Sequence, residues 1–215
     1  MRRLALTLLV ILLSIATPAS SQSRNLREEV RQKGYAKHGR WLDLPLHEPH
    51  TLAQLIKGST LIVRGEVVNE TTRLSTDESE VMTDFTVSIA EVLKDPQHLV
   101  KVGDKVVISK YGGNMLLEGK PVVYETTDFP PIPWHKLCVF FVVRSPVPND
   151  FWEYIFRLDG FGVWRFALGK MECETRRKKE TEYTGSFCGK PEDEVVSELK
   201  AKIAAEDGRE ADPLR

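Results

Sequence analysis

The sequence predicts a mainly β fold of about seven to eight strands, with one short helix before the strands and one packing helix after them. Three observations support this prediction. Apolar and polar residues alternate in the middle of the chain, turn residues recur at short intervals, and no helical pattern interrupts the strands. A period of two is typical of a half-buried antiparallel strand, because successive side chains leave opposite faces of the sheet. Residues 50–207 are therefore predicted to form one β domain.

The clearest alternation lies in residues 60–95, where we predict a long hairpin. An apolar strand is followed by a polar interruption and then by a longer strand. In the second strand Phe85, Val87 and Ile89 point to one face, and the polar residues between them point to the other. Such a hairpin would begin a barrel or a sandwich.

Further strands are predicted where short apolar runs are bounded by glycine, proline, aspartate and asparagine. They are residues 105–110, 122–124, 137–144, 153–158, 163–168 and 170–174. Gly112 and Gly113 are predicted to break the chain after the first of these strands, since glycine allows positive φ angles and a close approach of the backbone.

Two helices are predicted at the ends of the β domain. The Thr51 hydroxyl can accept a hydrogen bond from the backbone of Gln54, whose side chain can reach back to Thr51, which is the pattern of a capping box. The second helix begins at Pro191, a residue that suits the first helical turn. Its apolar stripe should pack against the strands, and it consists of Val195, Val196, Leu199 and Ile203.

The first 21 residues have the three parts of a secretory signal peptide. Arg2 and Arg3 form a positive end, an apolar run follows, and small residues precede a cleavage site after Ala19 or Ser21. A retained anchor is the alternative, but the apolar run is short for a span of about 20 residues. We therefore predict export to the periplasm or the exterior, with no transmembrane segment after cleavage.

The mature chain is predicted to carry little net charge. Cleavage after residue 21 leaves 28 basic and 31 acidic side chains, a formal charge of −3. This balance excludes nucleic acid or an anionic membrane as the main expected partner. Residues 22–49 are predicted to form a polar, loosely ordered or extended arm, and residues 208–215 a disordered tail.

The three cysteines agree with export. Cys173 and Cys188 lie in a charged, turn-rich segment and are predicted to form a disulfide, which could contribute ~3 kcal/mol by closing the loop between them. Cys138 lies in an apolar strand and is predicted to be a free core thiol. An odd cysteine count leaves other pairings open.

The order of these segments resembles that of a group of uncharacterised bacterial exported proteins. The matching pieces, within about residues 50–168, are TLIVRGEVV, TDFTVSIAEVLKD, VKVGDKVVIS, LCVFFVV and GFGVWRF. Those proteins are similar to OB-like barrels, including the netrin-type module of metalloprotease inhibitors, so the resemblance implies an OB-like antiparallel barrel. Inhibitors of that type use an N-terminal cysteine, whereas the first cysteine here is Cys138, so inhibition is not implied. The fold itself serves many activities.

Aromatic residues suggest where a ligand would bind. They crowd the segment from residue 129 to residue 166, and some of them should line an exposed groove because both faces of a small barrel cannot be equally buried. A core beneath the C-terminal helix is the alternative explanation. The leading hypothesis is a non-catalytic binding or accessory module for an envelope or extracellular protein or glycan, without a cofactor. The predicted contact residues are Phe129, Trp134, Trp152 and Tyr154.

A metal-dependent enzyme or a metal-binding protein is the second hypothesis. His47, Glu48 and His50 could supply metal ligands, but Pro49 between them is incompatible with the helical geometry of an HExxH site. An exposed segment before the first helix is the simpler interpretation. The basic run at residues 176–179 could bind an anionic glycan or phosphate, although flanking glutamates would pair with it. A structural envelope component is a third possibility.

Overall fold

The computed structural model describes residues 25–40, 51–126, 132–144, 152–154, 163–172 and 185–210. The described chain is mainly β, as predicted. Its helices are α1 (Leu26–Lys33), α2 (Leu52–Gly58) and α3 (Glu192–Glu210), with a short 3-10 turn at Gly185–Phe187. Its strands are β1 (Ala36–Arg40), β2 (Leu61–Leu74), β3 (Val81–Lys94), β4 (Lys105–Tyr111), β5 (Gly113–Leu117), β6 (Lys120–Thr126), β7 (Leu137–Arg144), β8 (Trp152–Tyr154), β9 (Val163–Ala167) and β10 (Lys170–Met171).

The strands of the described residues belong to two sheets. Seven follow the order β10-β9-β7-β2-β3-β4-β8, and three follow the order β1-β6-β5. The pairs β1–β6 and β4–β8 are parallel, and the others are antiparallel. The prediction of one antiparallel set of seven to eight strands is therefore corrected, since the described strands form two sheets and two of their pairs are parallel. The physical reason is a sharp corner at Gly112, where φ is 97°, because the chain leaves the larger sheet there and begins β5 of the smaller one.

The β2–β3 hairpin confirms the predicted long hairpin, and each of its strands spans 14 residues. Gly65 lies opposite Ile89 in this pair. A Cβ atom at Gly65 would lie 2.6 Å from the Ser88 carbonyl oxygen and 2.6 Å from Val87 Cγ1, so only glycine fits there. The register then shifts between Val67 and Asn69. Such a bulge changes which side chains share a face of the strand.

Two apolar clusters form the main core, and the strands β2 and β7 contribute to both. Ile62, Val139 and Phe141 belong to one cluster, whereas Val63 and Phe140 belong to the other. The alternation shows that these strands are buried on both faces, which explains their nearly continuous apolar sequences. Both α2 and α3 cover the first cluster. The predicted packing of the C-terminal helix is thus confirmed.

The two predicted helices have the expected starts. In α2 the Thr51 hydroxyl accepts from the Gln54 N–H at 3.2 Å, and the Gln54 side chain accepts from the Thr51 N–H at 3.2 Å, which completes the capping box. The last helix, α3, continues to Glu210, so the predicted tail from residue 208 begins too early. In the described part of the chain, none of the helices has the length and apolar character needed to cross a membrane.

Residues 25–40 form α1 and β1 instead of the loosely ordered arm that the sequence predicts. The Asn25 side chain caps the start of α1, and Gly34 ends the helix in the left-handed conformation with φ 79°. Leu26 and Val30 are fully buried against the smaller sheet. The segment is too polar to predict an ordered unit by itself, but this tertiary contact stabilises it.

Ion pairs fix α1 to two neighbouring turns. Arg27 lies 2.9 Å from Glu78 in the β2–β3 turn and 3.1 Å from Glu118 in the β5–β6 turn. Arg31 lies 2.6 Å from Glu118 as well. These hydrogen bonds, those from Arg31 first, lower the pKa of Glu118 from 4.5 to about 2. The Arg27 hydrogen bond likewise lowers the pKa of Glu78.

We expect α1 to loosen from the sheet in acid. A carboxylate with a lowered pKa in the folded state contributes its stabilisation fully above its unfolded pKa, and it loses that stabilisation as the pH falls through the folded value. For Glu118 this window runs from about pH 4.5 down to about pH 2. Amide NMR shifts of residues 26–33 should report the loosening.

The matched variants are Glu118→Gln and Glu125→Gln. The first should loosen α1 already at neutral pH and flatten its acid titration, because the amide cannot form the ion pairs with Arg27 and Arg31. The second changes an exposed carboxylate that lies 3.2 Å from Lys37 and should leave the titration of α1 almost unchanged. Identical titrations of wild type and Glu118→Gln would contradict this assignment.

Cys138 is a free, fully buried thiol, as predicted. Burial raises its pKa to about 12. Cys173 lies outside the described residues, so the Cys173–Cys188 disulfide stays a prediction. Since the thiolate is the reactive form of cysteine, we expect Cys138 to resist iodoacetamide at pH 8 in the folded protein and to react in guanidinium, with mass spectrometry as the measurement. Rapid labelling of the folded protein would contradict the burial.

Candidate functional site

Trp134 lies beside β2, just before β7 begins. Its backbone forms a parallel bridge with Val67, and the next N–H, that of His135, donates to the Val67 carbonyl at 3.4 Å. The Trp134 side chain is 46% exposed. Its Nε1–H nevertheless donates to Glu70 Oε2 at 3.2 Å. The indole is therefore exposed to solvent and held in one orientation at the same time.

His135 makes the second side-chain contact with β2. Its Nδ1 lies 2.8 Å from Glu66 Oε1. An ionised carboxylate only accepts hydrogen bonds, so the proton of this contact belongs to His135 Nδ1. The His135 side chain is 69% exposed, so the imidazole lies at the surface beside Trp134.

Glu70 connects this surface to β3 and β4. It lies directly opposite Phe85 in the β2–β3 pair. The Lys110 ammonium group lies 5.6 Å from the centroid of the Phe85 ring, which is a cation–π contact. Burial lowers the pKa of Lys110, and the nearby Glu70 carboxylate opposes that shift. Glu70 therefore interacts with both Trp134 and Lys110.

We call these five residues the Trp134 patch: Glu66, Glu70, Lys110, Trp134 and His135. They come from the first strand of the hairpin, from β4 and from the segment before β7. The patch offers an aromatic face, two carboxylates, an imidazole and one ammonium group. It has no hydroxyl or thiol nucleophile. Among the described residues, no group of three or more His, Cys, Asp or Glu side chains could hold a metal ion.

The other predicted contact residues are placed only in part. Trp152 and Tyr154 lie in β8, where their backbones pair with β4 and β7. Phe129 lies outside the described residues. The candidate metal ligands His47, Glu48 and His50 also lie outside them, so the metal hypothesis stays a prediction. The basic run at residues 176–179 is likewise outside the described part of the chain.

Trp134 is a contact residue that the sequence predicts, whereas the other four residues of the patch were not predicted. His135 was one of several scattered histidines in the sequence, and Glu66 and Glu70 resemble ordinary solvated residues of a half-exposed strand. The bulge between Val67 and Asn69 separates the two glutamates, and a bulge is not visible in an alternating pattern. The adjacent Trp–His pair before an apolar strand was the available signal.

No protein-family model matches this chain, and a search of curated proteins finds no significant relative.

Proposed function

We propose that this protein is an exported, non-catalytic binding module that contacts an envelope or extracellular protein or glycan through the Trp134 patch. The carrying observation is the indole of Trp134, which is half exposed and yet fixed by the Glu70 carboxylate. Aromatic side chains with a polar contact at one end are enriched at binding surfaces. A fixed side chain also loses less conformational entropy when a ligand binds.

An OB-like barrel is the proposed scaffold. Its support is the pairing of β8, which runs parallel to β4 and antiparallel to β7. Following hydrogen-bonded neighbours from β7 through β2, β3 and β4 to β8 therefore leads back to β7. In this arrangement the five strands would curve around the cluster that contains Phe85 and Phe140, as in the partly open barrel of an OB fold. The Trp134 patch would then lie on the barrel surface beside the first and second strands.

In the test, the folded, oxidised mature protein is immobilised and incubated with an extract of the cell envelope. The amount of each captured partner is then measured. Wild type, Trp134→Ala and Leu168→Ala are compared at equal loading. Truncation of a central contact residue costs about 2 kcal/mol or more, so Trp134→Ala should weaken the capture of true partners about 30-fold. Leu168 is fully exposed in the β9–β10 turn, and its truncation should have no effect. Equal capture by all three proteins would count against the patch.

A further inference from the structure

We propose, on the basis of the binding function above, that the ligand of the Trp134 patch is a neutral saccharide. Its ring would stack on the indole of Trp134, and its hydroxyl groups would donate to Glu66 and Glu70. Three properties of the patch support a saccharide ligand: the shape of the aromatic face, the remaining acceptor capacity of the carboxylates, and the charge balance.

The aromatic face suits a sugar ring. One face of many pyranose rings consists of C–H groups, which is an apolar surface of about the size of an indole. The contact of Trp134 Nε1 with Glu70 Oε2, 3.2 Å long, holds the indole by its edge, and an indole held by its edge can present a face to a ligand. With 46% of the residue exposed, the indole has apolar surface left for a flat ring to bury.

The two carboxylates suit hydroxyl groups. A carboxylate has two oxygens with about four lone-pair positions, and the contacts with Trp134 and His135 each use one oxygen of Glu70 and Glu66. Both groups therefore keep acceptor capacity for a sugar hydroxyl. A hydroxyl bound to an ionised acceptor forms a charge-assisted hydrogen bond, which is stronger than one between neutral groups.

The charge balance separates a neutral sugar from charged ligands. Two carboxylates face one ammonium group from Lys110, so the patch is slightly negative and disfavours sulfated or phosphorylated ligands. Lysine or arginine of a partner protein would also be attracted, but the Lys110 charge already offsets part of the negative charge of Glu70. A cationic group would also lose more hydration on binding than a neutral hydroxyl group.

The experiment uses the full mature protein and four immobilised probe classes: neutral hexasaccharides of glucose, galactose, mannose and N-acetylglucosamine, a heparin hexasaccharide, a lysine-rich peptide, and the bare matrix. We expect at least one neutral hexasaccharide to bind, with little change between 50 mM and 500 mM salt, because no ion pair forms. Trp134→Ala should weaken that binding at least tenfold. Glu66→Gln and Glu70→Gln should each weaken it several-fold, and Leu168→Ala should not.

The outcomes are distinguishable. If neutral sugars fail and the heparin hexasaccharide or the peptide binds in a salt-sensitive and Trp134-dependent way, the saccharide inference is overturned and the binding function stands. If no probe binds but envelope capture still depends on Trp134, the saccharide inference again fails alone. If sugar binding is equal in wild type and Trp134→Ala, the sugar binds elsewhere and the inference for this patch is wrong. Circular dichroism of each variant verifies that it is folded.

Discussion

Replacement of Trp164 with alanine is expected to lower the free energy of unfolding by about 3–5 kcal/mol, the usual cost of truncating a large aromatic side chain in a core. Trp164 is 1% exposed and is the largest of the fully buried side chains in the described chain. Its ring centroid lies 4.8 Å from that of Phe141 and 5.1 Å from that of Phe187. The alanine variant would leave a cavity between the larger sheet and α3. Urea denaturation of the oxidised protein measures the loss.

Two controls make this prediction specific. Trp164→Phe should cost clearly less than Trp164→Ala, because it keeps an aromatic ring and removes the buried Nε1–H, which has no hydrogen-bond partner among the described residues. Leu168→Ala, four residues later and fully exposed, should change the free energy by at most about 0.5 kcal/mol. A loss below about 1 kcal/mol for Trp164→Ala would show that this part of the core is not packed as described.

Replacement of Asp84 with alanine is expected to cost about 3 kcal/mol, the lower end of the range for breaking a buried ion pair. The Asp84 carboxylate accepts from Arg73 Nε at 2.6 Å and from Arg73 Nη2 at 3.2 Å. It also accepts from the Ser109 hydroxyl at 2.6 Å, and Ser109 is almost fully buried. The variant removes the acceptor that these donors share. The Arg73 side chain is 35% exposed. Because water reaches it and weakens the ion pair, we expect a loss at the lower end of that range.

The exposed pair Lys37–Glu125 provides the comparison. Both side chains are more than half exposed and lie 3.2 Å apart, so Glu125→Ala should cost at most about 1 kcal/mol. The double variant Arg73→Met/Asp84→Ala should lower the free energy of unfolding by less than the sum of the two single variants. Removing either partner already breaks the ion pair, so the second substitution removes less. Thermal and urea unfolding of wild type, the two single variants, the double variant and Glu125→Ala measure these differences. Additive single-variant effects would contradict a coupled pair.

The sequence predicts best those elements whose own alternation of apolar and polar residues shows which face is buried. The hairpin of β2 and β3 follows from its alternation, and β7 was predicted with the bounds Leu137–Arg144 that the structure shows. By contrast, α1 and β1 have three buried apolar residues, Leu26, Val30 and Ala36. Their order depends on the sheet that they contact. The sequence did not predict β5, because Gly112 and Gly113 at its start resembled a simple break. A local pattern does not contain these tertiary contacts.

The candidate site shows the same division. Trp134 was predictable because a tryptophan in a proline-rich loop is conspicuous, whereas Glu66 and Glu70 join it only through the bridge at Val67 and the bulge beyond it. The proximity of Lys110 on β4 to Glu70 depends on strand register, which a local sequence pattern does not contain. The chemistry of a single residue can thus be predicted from the sequence, whereas the residues that surround it in the fold cannot.

The parallel pairing of β1 with β6 has a consequence for biogenesis. Ala36 aligns with Val122, so β1 leaves the ribosome well before the strand with which it pairs. At about 5–20 residues per second, the delay is roughly 4 to 17 s. During that time the apolar residues Leu26, Val30 and Ala36 lack the smaller sheet that covers them and are available to a holding chaperone. Ordered pairing of β1 therefore requires that synthesis has already passed β6.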